Sequence, residues 1–150
     1  MSLLTSDHLD YIGTVEAEVM VEVSRRDIQK YAAATEQQQI KYLNGDEAPP
    51  MFIFNLFSEI PQLENLRSDG LARGVKGPRL PLKRVMAGGT RIEQQLPILP
   101  GDKLTGKRLV VDMFEKEGSS GPLIFTVRKL VVTNPAGEVV LTETQTSIAR

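Results

Sequence analysis

Three long stretches, Lys107 to Glu117, Leu123 to Thr133 and Glu138 to Ile148, are rich in Val, Ile, Leu, Phe and Thr, and only short polar segments separate them. β-Branched and aromatic side chains fit a pleated, half-buried surface, so each stretch reads as a strand. The separators, Gly118-Ser119-Ser120-Gly121 and Asn134-Pro135-Ala136-Gly137, consist of residues that supply turn dihedrals. Links this short make the three strands consecutive antiparallel neighbours. In the last stretch Val139, Leu141, Glu143, Gln145 and Ser147 alternate with Val140, Thr142, Thr144, Thr146 and Ile148, and neither set is strongly charged. Such a strand suits a sheet with one face on a helix and the other on a partner.

Arg91 to Leu96 offers a fourth strand, ended by Pro97 and Pro100. Gly13 to Val23 offers a fifth, with Val15, Ala17, Val19, Val21 and Val23 expected to be buried and Glu16, Glu18 and Glu22 to face water. Two helices precede most of the sheet. Ser24-Arg25-Arg26-Asp27 has the capping-box pattern, so a helix should begin at Arg25, with Ile28, Tyr31, Ala32 and Thr35 at helical spacing. A second, almost wholly apolar helix is expected from Pro49-Pro50 through Phe52, Ile53, Leu56, Phe57 and Ile60, ending before Pro61. The pattern predicts an α+β fold with a sheet of about five strands wrapped around a central helix. Cystatin-like and ferredoxin-like arrangements share it, although the ferredoxin type needs a second long helix between later strands.

With 150 residues the chain fits a single domain, 1–150. Eighteen basic and nineteen acidic side chains leave a net charge of −1, so no long-range basic field recommends nucleic acid as a partner. The absence of cysteine excludes disulfides, thiolate metal sites and cysteine nucleophiles, and a single histidine, His8, makes a protein-built transition-metal site an unexpected feature. His8 itself is expected to be an exposed residue near a terminus. No signal-peptide pattern or membrane-spanning run is present, and the expectation is a soluble cytoplasmic domain.

Lys30-Tyr31-Ala32-Ala33-Ala34-Thr35, Ala48-Pro49-Pro50-Met51-Phe52 and Leu99-Pro100-Gly101-Asp102-Lys103-Leu104 resemble segments of the MaoC-like acyl-CoA dehydratase family. Val110 to Gly118, Gly121 to Val127 and Thr133 to Glu138 look like its N-terminal, FAS1-type branch. The resemblance runs from about Arg25 to Ile148 and implies a hot-dog fold. Hydratases of this family carry, in the loop after the first helix, an Asp and, five residues later, a His that activate water across an enoyl thioester. Aligned on Tyr31 to Thr35, Glu36 falls at the family's usual Gly, Gln37 at the Asp and Tyr42 at the His. Glutamine has no titratable proton, and a tyrosine with an ordinary pKa near about 10 is a poor base at neutral pH. The resemblance therefore implies a chain without catalytic residues, with Gln37 and Tyr42 vestigial. Glu36, the one carboxylate in the loop, is the outside candidate for a base, and it takes the Asp position if the alignment slips by one residue. The Gln37-Gln38-Gln39 run reads either as a polar loop or as part of a vestigial pocket.

Coenzyme A, a substrate component here and not a cofactor, presents phosphates that Lys and Arg recognise. Lys83, Arg84, Gly88 and Gly89 are the candidates for its groove, since the family has a Gly-Gly at this place beside the pantetheine arm. The alternative for Gly88-Gly89 is a bulge where a curved sheet bends. Met51, Phe52, Phe57 and Met86 are the candidates for an acyl tunnel wall, with core packing as the competing reading for each. The acyl group is open between fatty and steroid side-chain types, and no metal is implied. The leading expectation is a non-catalytic subunit of a heteromeric enoyl-CoA hydratase, paired as heterodimer or heterotetramer with a MaoC-like chain that supplies the Asp and His. The rivals are a hot-dog acyl-CoA thioesterase using Glu36, Asp46 or Glu47 near the start of the second helix, and a non-enzymatic acyl-CoA-binding protein.

Overall fold

The computed structural model describes residues 2–54, 56–72 and 76–150. In chain order its elements are α1 (Ser6–Asp10), β1 (Val15–Glu22), α2 (Arg25–Ala34), α3 (Ile40–Leu43), a 3-10 turn at Leu63–Asn65, β2 (Val85–Gln94), β3 (Lys103–Gly118), β4 (Gly121–Thr133) and β5 (Val139–Ala149). The three apolar stretches form the expected meander. Gly118 pairs with Gly121 across Ser119-Ser120 to close a two-residue hairpin. In the next turn the Asn134 side-chain carbonyl accepts from the Ala136 and Glu138 N–H groups at 3.1 and 3.0 Å. β1 adds beside β3 and β2 beside β5, giving one antiparallel sheet in the order β1-β3-β4-β5-β2. β2 begins at Val85, well before the expected Arg91, because Val85 to Gly89 ladders onto Ala149 to Thr146. Two glycines hide that stretch from any test of alternation.

α2 starts where its cap predicts, with Ser24 Oγ accepting from the Asp27 N–H at 3.0 Å. It ends in a Schellman motif: the Glu36 N–H donates to Ala33 O and the Gln37 N–H to Ala32 O at 3.2 and 2.9 Å, while Glu36 takes a left-handed φ of 54°. The second expected helix does not form. Between Pro49 and Phe57 the backbone makes successive four-residue turns, Phe52 N–H to Pro49 O, Phe54 N–H to Met51 O and Leu56 N–H to Ile53 O, and Met51 has a φ of 66°. At Asn55 the expectation lies outside the described residues. Phenylalanine and isoleucine have modest helix propensity, and a left-handed residue at Met51 interrupts the helical ladder. Burial is achieved regardless: Phe52, Ile53 and Phe57 enter the core with Val23, Ile28, Leu104, Leu130, Val132 and Leu141. The element wrapped by the sheet is thus a string of turns supported by Ile28 of α2. Among the described residues no helix is long and apolar enough to cross a membrane.

The sheet face turned toward this segment, the inner face, has two ends. At one end Leu104, Leu130, Val132 and Leu141 are buried. Gly106 belongs there because the Phe57 ring lies where its side chain would be: an added Cβ would stand 2.4 Å from ring carbons. At the other end the same face carries Arg108, Thr126, Arg128, Glu143 and Ser147. Glu16, expected to face water, joins them. A register shift between Val15 and Ala17 turns Glu16 inward, and its side chain is 6 % exposed. His8 is also not the exposed terminal residue expected. It is 5 % exposed, its Nδ1 accepting from the Thr5 N–H at 3.0 Å and its Nε2 meeting Arg79 O at 3.1 Å.

Candidate functional site

The loop after α2 is where family chemistry was expected. Its Schellman ending fixes Glu36 at a position that glycine usually fills, and Glu36 is exposed there. Gln37 Nε2 donates to Thr35 Oγ1 at 3.3 Å, and Gln38 Nε2 to Glu36 O at 3.0 Å, so two of the three glutamines fold back on the loop. Tyr42 is buried beneath Lys41, whose Nζ stands 4.9 Å from the ring centroid. Lys41 also pairs with Glu47 at 2.8 Å, and that hydrogen bond raises the lysine pKa above its ordinary value. Asp46 pairs with Arg25. Two of the three carboxylates considered for thioester hydrolysis are therefore held in ion pairs, and the helix start they were to flank is absent.

Two clefts lie back to back across the start of β2 and the end of β5. The inner one, about 530 Å³, is bounded by Phe57, Leu80 and Val85 on its apolar side and by Arg108, Arg128 and Gln145 on its polar side. Its charges are neutralised in pairs. Arg128 grips Glu16 with two parallel hydrogen bonds, Nε to Oε2 at 2.8 Å and Nη2 to Oε1 at 3.2 Å, and Nη1 reaches Ser147 Oγ at 3.4 Å. Arg108 lies 3.8 Å from Glu143, which is itself almost fully buried. Tyr11 donates to Glu16 at 3.4 Å, and its pKa is raised, first by burial and then by the Glu16 charge. The sequence reading missed this cluster. The signal was present in β4: Thr126 and Arg128 share the parity of Ile124, Leu130 and Val132, which puts a cation on an otherwise apolar face.

The outer cleft, about 670 Å³, gathers Lys83, Arg84 and Met86 with the Ser119-Ser120 hairpin, Leu123, Ile148 and Arg150. The candidate thioester-binding cations thus come together, and Arg150 joins them unpredicted. Met86 lies on this face, whereas Phe52 and Phe57 are buried across the sheet, so the four tunnel candidates do not line one passage. Met51 stands at the turn segment, 40 % exposed. Gly88 is the extra residue of a bulge between Ala87 and Gly89, and an added Cβ would meet Ile148 at 2.9 Å. Among the described residues no group of three or more His, Asp or Glu side chains is arranged to hold a metal ion.

Residues 10–143 match the family model described as FAS1-like, dehydratase domain region. No curated protein matches the sequence. Among solved structures, the C-terminally truncated HadBC (3R-hydroxyacyl-ACP dehydratase) complex from Mycobacterium tuberculosis is 19 % identical with a TM-score of 0.67, over 93 % of this chain and 98 % of that one. The R-hydratase PhaJ1 from Pseudomonas aeruginosa is 20 % identical with a TM-score of 0.61, over 92 % and 81 %. A chain of the ChsH1-ChsH2 complex from Mycobacterium tuberculosis is 14 % identical with a TM-score of 0.65, over 91 % and 84 %. At such identities the structural likenesses show the fold alone, and that fold is the hot dog. The family match, spanning most of the sequence, shows that this chain belongs to the FAS1-like dehydratase domain family.

Proposed function

We propose that this chain is the non-catalytic subunit of a heteromeric enoyl-CoA hydratase, in which a MaoC-like partner supplies the Asp and His. The observation that carries this reading is the loop after α2. Aligned on Tyr31 to Thr35, Gln37 and Tyr42 fall where the family resemblance puts the acid and the imidazole, and the chain's one histidine is engaged elsewhere, between Thr5 and Arg79. Hydration adds the hydroxyl of water to one alkene carbon and its proton to the other, and both transfers would use the partner's groups. This chain would contribute positioning and exclusion of water. Phe57, Leu80 and Val85 offer an apolar wall at the inner cleft, and Phe52 backs it. Met51 borders the same turn segment, whereas Met86 belongs to the outer cleft.

The exposed edge of β2 supports a partner of the same fold. From Val85 to Thr90 it carries no charge, and Val85 and Met86 are 67 % and 40 % exposed. An uncharged, unpaired strand edge is a template for another strand. The HadBC and ChsH1-ChsH2 structures are complexes, which supports such pairing.

The test is enoyl-CoA hydration by the purified chain alone and after co-expression with a MaoC-like chain carrying Asp and His. The reading expects activity in the co-purified complex and none from this chain. Robust hydration by this chain alone overturns it, and thioester hydrolysis by this chain alone would favour a thioesterase.

A further inference from the structure

Beside its ion pairs, the inner cleft holds a second set of polar groups that the fold leaves unused. Thr126, Gln145 and Ser147 line it on neighbouring strands. Thr126 is opposite Ser147 across β4 and β5, and Gln145 is opposite Arg128 one step along. Opposed residues have Cβ atoms about 5 Å apart, and successive residues on one face of a strand lie about 7 Å apart, so the three groups form one strip. Thr126 is 4 % exposed, yet among the described residues its hydroxyl has no hydrogen-bond partner. Since no fully enclosed side-chain nitrogen or oxygen among those residues lacks a partner, the Thr126 oxygen faces the cleft. The Gln145 amide has no partner among them either. Ser147 Oγ accepts from Arg128 Nη1 at 3.4 Å, and its own proton is free to donate.

Polar groups this sheltered are normally bonded, because burial removes their water. Charge does not account for the strip. Lys76, Arg108 and Arg128 are matched by Glu59, Glu143 and Glu16, so an ionised ligand group would meet no free counter-charge. On the other face of the sheet the position is reversed: Arg84 and Arg150 exchange backbone hydrogen bonds on the last rung between β2 and β5, and no carboxylate lines their cleft. The remaining side of the inner cleft is apolar, built from Phe57, Leu80 and Val85. A cleft of about 530 Å³ with one apolar side and one neutral hydrogen-bonding side fits a ligand made the same way. We infer that the acyl group taken by this cleft carries an uncharged oxygen, as a hydroxyl or a ketone, on the part remote from the thioester, and that Thr126, Gln145 and Ser147 determine this specificity. This rests on the subunit role proposed above, in which the reacting carbons lie with the partner's groups and the far end of the acyl chain reaches this chain. A plain hydrocarbon tail would displace the hydration of the strip and return no hydrogen bond, which is how a polar site rejects an apolar analogue. The three groups offer both donors and acceptors, so hydroxyl and ketone oxygens both fit.

Two matched sets of probes test this: saturated ω-hydroxy- and (ω-1)-oxoalkanoyl thioesters of N-acetylcysteamine over a series of chain lengths, and the corresponding plain alkanoyl thioesters. Titration into the full chain, followed by amide NMR shifts, should show an oxygenated member of the series binding about tenfold more tightly than its plain counterpart. The shifts should centre on Thr126, Gln145 and Ser147. Thr126→Val, which keeps the side-chain shape, and Ser147→Ala should each bring that ratio close to one. In the co-expressed complex the matching enoyl-CoA pair should show the same preference, in KM more than in kcat. No preference at any length in either the chain or the complex, or a preference that both variants keep, overturns the inference. If the complex hydrates both enoyl-CoA sets without preference, the specificity assignment fails and the subunit role stands. If the chain binds the oxygenated set through Thr126 while no complex shows hydration, the specificity assignment stands and the subunit role fails.

Discussion

The inner and outer clefts share the same two strands, yet they handle charge in opposite ways. On the inner side Arg128 and Glu16 are locked by two hydrogen bonds, with Ser147 and Tyr11 attached to the pair. On the outer side Arg84 and Arg150 face each other with no carboxylate between them. Charges placed against a core must be neutralised where they stand, because desolvation without a partner is costly. Charges on an open face can remain unmatched until a ligand arrives. The contrast separates a polar cluster that shapes the fold from one available for binding, although both contain arginines on adjacent strands.

The largest effect should come from breaking the inner pair. Glu16→Gln leaves Arg128 without its counter-charge and should cost about 3 kcal/mol of stability in urea unfolding; the double variant Glu16→Gln/Arg128→Met should recover much of that loss. If the single and double variants are equally destabilised, the pairing is not what holds this end of the sheet. On the outer side the sign reverses. Arg84→Gln should stabilise the ligand-free chain by about 0.5 kcal/mol at low ionic strength, a gain that shrinks with added salt. A loss of stability there would mean that the arginines already have partners. The smallest effect is confined to alkaline solution. The Tyr11 pKa is raised in the folded chain, so its contribution is fully present below the unfolded value of about 10 and is lost as pH rises through the folded value. Tyr11→Phe should flatten the fall in melting temperature above that pH, and an unchanged profile would dissociate Tyr11 from the Glu16 pair.

The strands of the second half were legible because turn residues punctuate them and their apolar content is dense. The start of β2 was not, since Val85 to Gly89 gains strand geometry only by pairing with β5. The stretch from Pro49 to Ile60 has helical spacing, but its described residues up to Phe57 form turns, because spacing records which side chains need burial and not how the backbone delivers them. Glu16 has the parity of its outward neighbours Glu18 and Glu22, and only the bulge after Val15 reverses it. Buried His8 was missed for a related reason: besides the Thr5 hydroxyl its partners are backbone groups, Thr5 N–H and Arg79 O, and the second lies 71 residues away along the chain. At the candidate site, Lys83 and Arg84 stood out as adjacent cations among apolar neighbours. Arg150 and the Ser119-Ser120 hairpin did not, because strand order alone brings them alongside.

In the proposed role this chain transfers no proton in the hydration run by its complex. The most direct measurement is the steady-state hydration of enoyl-CoA by the complex with a MaoC-like partner, comparing the wild-type chain with Glu36→Gln/Gln37→Ala. Glu36 is an exposed helix-ending residue and Gln37 bonds back to Thr35, so kcat should stay within about twofold of wild type. A fall in kcat of about 100-fold or more, with the complex still assembled, would contradict the account and make this loop a working part of the catalytic machinery.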